Sequence, residues 1–119
     1  MKEIIFIETG TGIDLHGQDV NEAAERAVKD AIHYNSMPGI SKMLPENDLN
    51  NMKVNVKLAI PKDLENLDEE KIKKLLPYGT VTVEVMTGGM ATTSGIFLED
   101  QQDKNDLMYI VNAVVEVGY

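Results

Sequence analysis

Residues 19–32 limit the choice of folds more than any other part of the chain. Apolar side chains recur there at the 3.6-residue period of a helix, and most of them are alanine. They are Val20, Ala23, Ala24, Ala27, Val28, Ala31 and Ile32. Asp19 is placed to cap the first turn of this helix. Because alanine is small, the segment predicts a helix that lies close against a sheet.

Several other segments have the patterns of strands. Residues 4–7 form a continuous apolar run, whereas residues 53–60 and 80–87 alternate, which is typical of half-buried strands. A second helix is predicted to begin after Asp68 and to end at Pro77, and residues 41–51 are expected to be a loop. Residues 107–117 fit a helix or a strand, and their β-branched content favours a strand. We expect it to form a hairpin with residues 96–98.

The resulting order is β-α-β-α-β-β within one domain, residues 1–119. Two helices and a mixed sheet predict an α+β two-layer sandwich with both helices on one face. The opposite face is expected to carry Met86 and the valines of the last two strands. Because exposing a wide apolar sheet face to water is unfavourable for a monomer, we expect a homo-oligomer.

Charge and cysteine content narrow the classes of function. A net charge of −9 disfavours nucleic acid and anionic membrane surfaces as partners. The chain has no cysteine, which excludes disulfides, thiolate nucleophiles and cysteine-bound metals. The longest apolar run near the start has four residues, too few for a signal peptide or a membrane span, so a cytoplasmic protein is expected.

The sequence GTGIDLHG, residues 10–17, follows the first strand directly. One interpretation is a simple connection whose glycines supply positive φ angles, with Leu15 anchored in the core. That interpretation leaves Asp14 and His16 unexplained, since alternate side chains of an extended segment project the same way. The segment does not fit a dinucleotide-binding loop, and it lacks the lysine of a P-loop.

Asp14 and His16 are therefore the candidate catalytic residues. His16 is interpreted as a general base oriented by Asp14, as a metal ligand with Asp14 and Glu8, or as a buried hydrogen-bonding histidine. We favour the acid–base pair and predict no metal site, and the sequence indicates no particular cofactor. The candidate ligand-binding residues of this segment are Gly10, Thr11, Gly12 and Gly17.

The sequence TGGMATTSG, residues 87–95, is the second candidate. Backbone N–H groups beside Gly88 and Gly89 could form an anion-binding nest, with Ser94 adding a hydroxyl group. A long hairpin loop of small polar residues is an equally good interpretation. As a site, these three residues would bind a ligand together with residues 10–17, within one subunit or across a subunit boundary.

The positions Gly10, Gly12, Asp14, His16 and Gly17 match the GxGxDxHG signature of a Listeria-type family of conserved hypothetical proteins. The stretches DKND, YIVNA and the terminal VGY are also similar to that family. The resemblance implies a fold of the Bacillus chorismate mutase-like group, which includes the C-terminal domain of tubulin and of cell-division GTPases. Several members of that group form ring-like trimers with ligand sites between subunits, so a trimer is the first guess.

The resemblance implies no particular reaction. The sequence favours a small-molecule-binding protein, or an enzyme, whose site lies at residues 10–17. The alternative is a homo-oligomeric assembly module without catalytic activity. The location of Asp14 and His16, in an open polar pocket or packed against protein, separates the two hypotheses.

Overall fold

The last strand is the centre of the sheet. The computed structural model describes all 119 residues and has five strands in the order β1-β5-β2-β3, with β4 also paired to β5. The strands are β1 (Ile4–Asp14), β2 (Lys53–Ile60), β3 (Thr80–Thr87), β4 (Met90–Thr93) and β5 (Leu107–Gly118). The helices are α1 (Val20–Ile32), α2 (Ile40–Met43) and α3 (Glu69–Lys73). None of them is long and apolar enough to cross a membrane.

Strand β5 pairs antiparallel with β1 along one edge and with β2 and then β4 along the other. Strand β3 is parallel to β2 and follows it through α3, whose N-cap is Asp68 as predicted. The sheet is therefore mixed, and the predicted α+β class is confirmed. The preference for a strand over a helix at residues 107–117 is also confirmed.

Helix α1 covers β1 and β5 on one face of the sheet. Its N-cap is Asp19, which accepts hydrogen bonds from the backbone N–H groups of Asn21 and Glu22. All of the predicted stripe is buried except Ile32, which is partly buried. Opposite the alanines, β1 has two glycines, and a Cβ atom at Gly10 or Gly12 would collide with the backbone of α1. Glycine on the strand and alanine on the helix together allow their close approach.

Some local predictions were wrong. Residues 10–14 belong to β1 rather than to a loop, and of the three glycines in residues 10–17 only Gly17 has a positive φ, +97°. Leu15 is 53% exposed and anchors nothing in the core. Strand β4, not residues 96–98, is the hairpin partner of β5, and residues 41–51 contain part of α2 and two 3-10 turns.

The sheet face away from α1 differs from the prediction in its residues. Val111, Val115 and Val117 lie under the helices and are buried, so they do not contribute to the open face. Val114 alternates with them along β5 and does lie on the open face, opposite Lys57. Met86 does lie there. The other large exposed apolar side chains of this face are Ile7, Ile13 and Met90.

Candidate functional site

The buried carboxylate of Asp103 organises the turn that follows β1. Its side chain is 1% exposed and lies in the loop before β5. One oxygen accepts hydrogen bonds from Nδ1 of His16 at 2.8 Å and from the N–H of Leu98 at 2.9 Å. The other accepts from the N–H of Gly17 at 2.6 Å and from Nε2 of Gln18 at 3.1 Å. Four donors from two distant segments therefore converge on one carboxylate.

These donors keep Asp103 ionised. Burial raises the pKa of its carboxyl group, but hydrogen bonds from Leu98, Gly17, His16 and Gln18 outweigh burial and lower it to about 2. The carboxylate is consequently charged at neutral pH. A charged acceptor at Nδ1 makes that nitrogen the hydrogen-bond donor of the ring.

His16 lines an open cleft at the end of β1. Nε2 has no hydrogen-bond partner in the protein, and the side chain is 23% exposed. The open cleft has a volume of about 330 Å³ and is lined by Ile13, Asp14, Leu15, His16, Arg26 and Gln101. An imidazole held by a carboxylate on one side and free on the other is the arrangement of a general base.

Asp14 does not hold His16, and the interpretation of Asp14 as its orienting partner is wrong. Its Oδ2 accepts the backbone N–H of Asp19 at 2.8 Å, which fixes the entry into α1. Its Oδ1 lies 3.4 Å from Nη1 of Arg26, which also donates to the carbonyl of Ile13 at 2.7 Å. Asp14 is 7% exposed and lines the cleft, so a catalytic role for it stays a prediction.

The other residues of the first candidate segment lie in two different places. Gly17 lies in the turn, where its positive φ and its hydrogen bond to Asp103 account for glycine. Gly10, Thr11 and Gly12 lie further back along β1, outside the cleft lining. Glu8 is six residues before Asp14 on that strand, about 20 Å away, so it does not join a metal site. No cluster of three or more potential metal ligands is present.

The second candidate segment is separate from this cleft. Gly88 and Gly89 make the step from β3 to β4, where a Cβ atom would contact Ala59 at Gly88 and the carbonyl of Ile110 at Gly89. Ser94 donates from its hydroxyl group to the carbonyl of Ile96 at 2.9 Å. None of these three residues lines the His16 cleft, and their binding of a ligand stays a prediction.

Three residues of the site were missed as functional candidates: Gln18, Arg26 and Asp103. Gln18 is 4% exposed; it also donates to the carbonyl of Leu107, the first residue of β5, and accepts the N–H of Lys104 in the preceding loop. Arg26 lies on the polar face of α1, where charged residues are common and do not by themselves indicate a site. The only signal for Asp103 was its place in the DKND stretch that resembles the family.

The mixed five-stranded sheet with helices on one face makes this an α+β protein, and its fold is consistent with the tubulin-like and chorismate mutase-like group. The chain belongs to the family of conserved hypothetical proteins Lin0512_fam, which it matches over residues 4–117. A crystal structure from Nostoc punctiforme PCC 73102, described as an FtsZ-like protein of unknown function, is 38% identical. The two superpose with a TM-score of 0.86 over 97% of this chain and 93% of that chain. The comparison with curated proteins gives no match.

Proposed function

We propose that this protein binds a small polar molecule in the His16 cleft and that His16 acts on it as a proton acceptor. The observation that carries the proposal is the hydrogen bond of 2.8 Å between Nδ1 of His16 and the buried carboxylate of Asp103. It fixes the ring and leaves Nε2 as the free basic nitrogen beside the cleft. Proton abstraction at Nε2 produces an imidazolium that Asp103 stabilises directly.

A purely structural role explains only part of this arrangement. Tying the turn after β1 to the loop before β5 accounts for the hydrogen bonds of Gly17, Gln18 and Leu98 to Asp103. It does not require a histidine with an unused nitrogen beside a cleft. Arg26 lines the same cleft, and its guanidinium group keeps N–H donors beyond those directed at Ile13, Asp14 and Glu22. A ligand with hydrogen-bond acceptors near an acidic proton suits both groups.

The test is extraction of small molecules from the purified native protein, followed by mass spectrometry. We expect a compound that the wild-type chain retains and that His16→Gln loses. His33→Gln is the matched control because His33 is the only other histidine and lies outside the cleft. Retention of the same compound by His16→Gln, or its loss from His33→Gln, contradicts the proposal.

A second candidate function is self-association through the open sheet face, with a trimer as the first form to test. The specific observation is the exposure of Ile13 at 39% and of Met90 at 57% on a face that no helix covers. Large exposed apolar side chains on one surface favour an interface. This candidate is compatible with the first, because a subunit boundary can also border a ligand site.

A further inference from the structure

A second cavity lies on the helix side of the sheet, toward the other end of β1. Its volume is about 170 Å³, and eight of its eleven lining residues are hydrophobic. The buried side chains of Met52, Val54, Val115 and Val117 contribute to its lining. Tyr78 is exposed and contributes an aromatic ring. The lining of this cavity is therefore mainly apolar, in contrast to the polar lining of the His16 cleft.

Glu8 is the only charged residue that lines this cavity. It belongs to the same face of β1 as Gly10 and Gly12 and so points toward the helix layer. Its carboxylate accepts a hydrogen bond from the amide Nδ2 of Asn35, and no cation pairs with it. Burial raises the pKa of Glu8 despite the hydrogen bond from Asn35, which lowers it. The fold thus holds a carboxyl group beside apolar surface without a counter-charge.

We propose that this cavity binds a small primary amine, with the ammonium group paired to Glu8 and the apolar body among the buried side chains. An apolar cavity of about 150 Å³ accommodates benzene, so the space here suits one aromatic ring or a short branched alkyl chain. The ammonium group supplies the positive charge that Glu8 lacks. This site shares no residue with the His16 cleft and stands or falls independently of it.

Calorimetric titration with benzylamine tests the proposal, and benzyl alcohol serves as its neutral counterpart. We expect benzylamine to bind the wild-type chain about tenfold more tightly than benzyl alcohol, the difference that a charge-assisted contact gives. Glu8→Gln keeps a side-chain oxygen that accepts the Asn35 hydrogen bond and removes the charge. It is expected to abolish the preference for the amine. Glu84→Gln, on the exposed face of β3, is the matched control and leaves the preference unchanged.

Methyl NMR spectra collected during the same titration locate the bound molecule. Benzylamine is expected to shift the signals of Val54 and Val115 in the cavity and not that of Ile13 at the His16 cleft. The proposal is overturned by equal affinities for amine and alcohol, by unchanged amine binding in Glu8→Gln, or by shifts outside the cavity. Absence of saturable binding at ligand concentrations up to about 10 mM also overturns it.

Discussion

Asp103 couples the site to the stability of the fold. Its carboxylate bonds to His16 and Gly17, which are 87 and 86 residues away along the chain. These bonds form only in the folded protein, so folding stabilises the ionised form of Asp103. The pKa is lowered to about 2 in the fold, against about 3.9 in an unfolded chain. The stabilisation is therefore fully present above about pH 4 and is lost as the pH falls toward about 2.

Urea unfolding between about pH 5 and pH 2 measures this effect. The wild-type midpoint is expected to fall across that interval more steeply than the midpoint of Asp103→Asn, which has no carboxyl group to protonate there. Asp100→Asn removes an exposed carboxylate of the same loop that makes no hydrogen bond, and it should keep the wild-type slope. Parallel curves for wild type and Asp103→Asn contradict the assignment.

At this scale the sequence predicted half of the pair. His16 was selected because it stands at an alternate position from Asp14 in a segment with three glycines. The partner carboxylate was assigned to Asp14, since local spacing is all that a single sequence offers. The true partner, Asp103, comes from a loop whose position depends on how β5 enters the sheet. No residue pattern near His16 carries that information.

The distance between β1 and α1 is short because the residues that face each other there are glycine and alanine, which have no side chain or only a methyl group. Gly10 lies against Ala27 and Ala31, and Gly12 against Ala23 and Ala27, with backbone in direct contact with backbone. The C-terminal half of β1 thus lies close against α1. The glycines of β1 were expected to bend the chain, yet here they allow two elements to pack closely.

Gly12→Ala tests this explanation. The added methyl group meets the carbonyl of Ala23 and the N–H of Ala27, and because both are backbone atoms only a shift of α1 relieves the clash. We expect a loss of about 1–3 kcal/mol in the free energy of unfolding, measured by urea denaturation. Gly39→Ala is the control, because a Cβ atom there has nothing within 4 Å and φ is −95°. It should leave stability unchanged or slightly raised.

Equal free energies of unfolding for Gly12→Ala and Gly39→Ala would contradict this explanation, because they would mean that α1 has room to move away from β1. The two substitutions add the same methyl group and remove the same backbone freedom from the unfolded chain. Their difference therefore reports the contact alone.

The elements with a clear period were predicted from sequence, and those marked by glycine were not. The bounds of β2 and β3 and the cap of α1 agree with the alternation and with Asp19. The predicted end of β1, at residue 7, was too early because glycine is depleted in strands and residues 10–12 contain two glycines. Strand β4 was missed beside Gly88 and Gly89. The apolar residues 96–98 were taken as a strand instead, although the N–H of Leu98 bonds to Asp103 rather than to a neighbouring strand.

Across the whole molecule the open sheet face has two halves. One half is polar, where Nζ of Lys57 pairs with Glu116 at 3.2 Å and Asn55 bonds to Glu84 and Glu116. The other half is apolar, because Ile110 pairs with Ile13 on one side and with Met90 on the other, and cross-strand partners share a face. We name Ile13, Ile110 and Met90 the apolar patch. Ile13 also lines the His16 cleft, so the patch borders the site.

Self-association through the apolar patch is expected to depend on Met90, which is 57% exposed and lies outside the cleft lining. A lysine there places a charge in a desolvated contact, so Met90→Lys should convert the oligomer into a monomer of 13.2 kDa in sedimentation velocity runs. Thr82→Lys, at an exposed position of the polar half, is the control and should leave the assembly intact. A wild-type chain that sediments as a monomer at micromolar concentration contradicts the prediction, as does dissociation of Thr82→Lys alone. If Met90→Lys dissociates the protein and also releases a compound retained at His16, the cleft is completed by the neighbouring subunit.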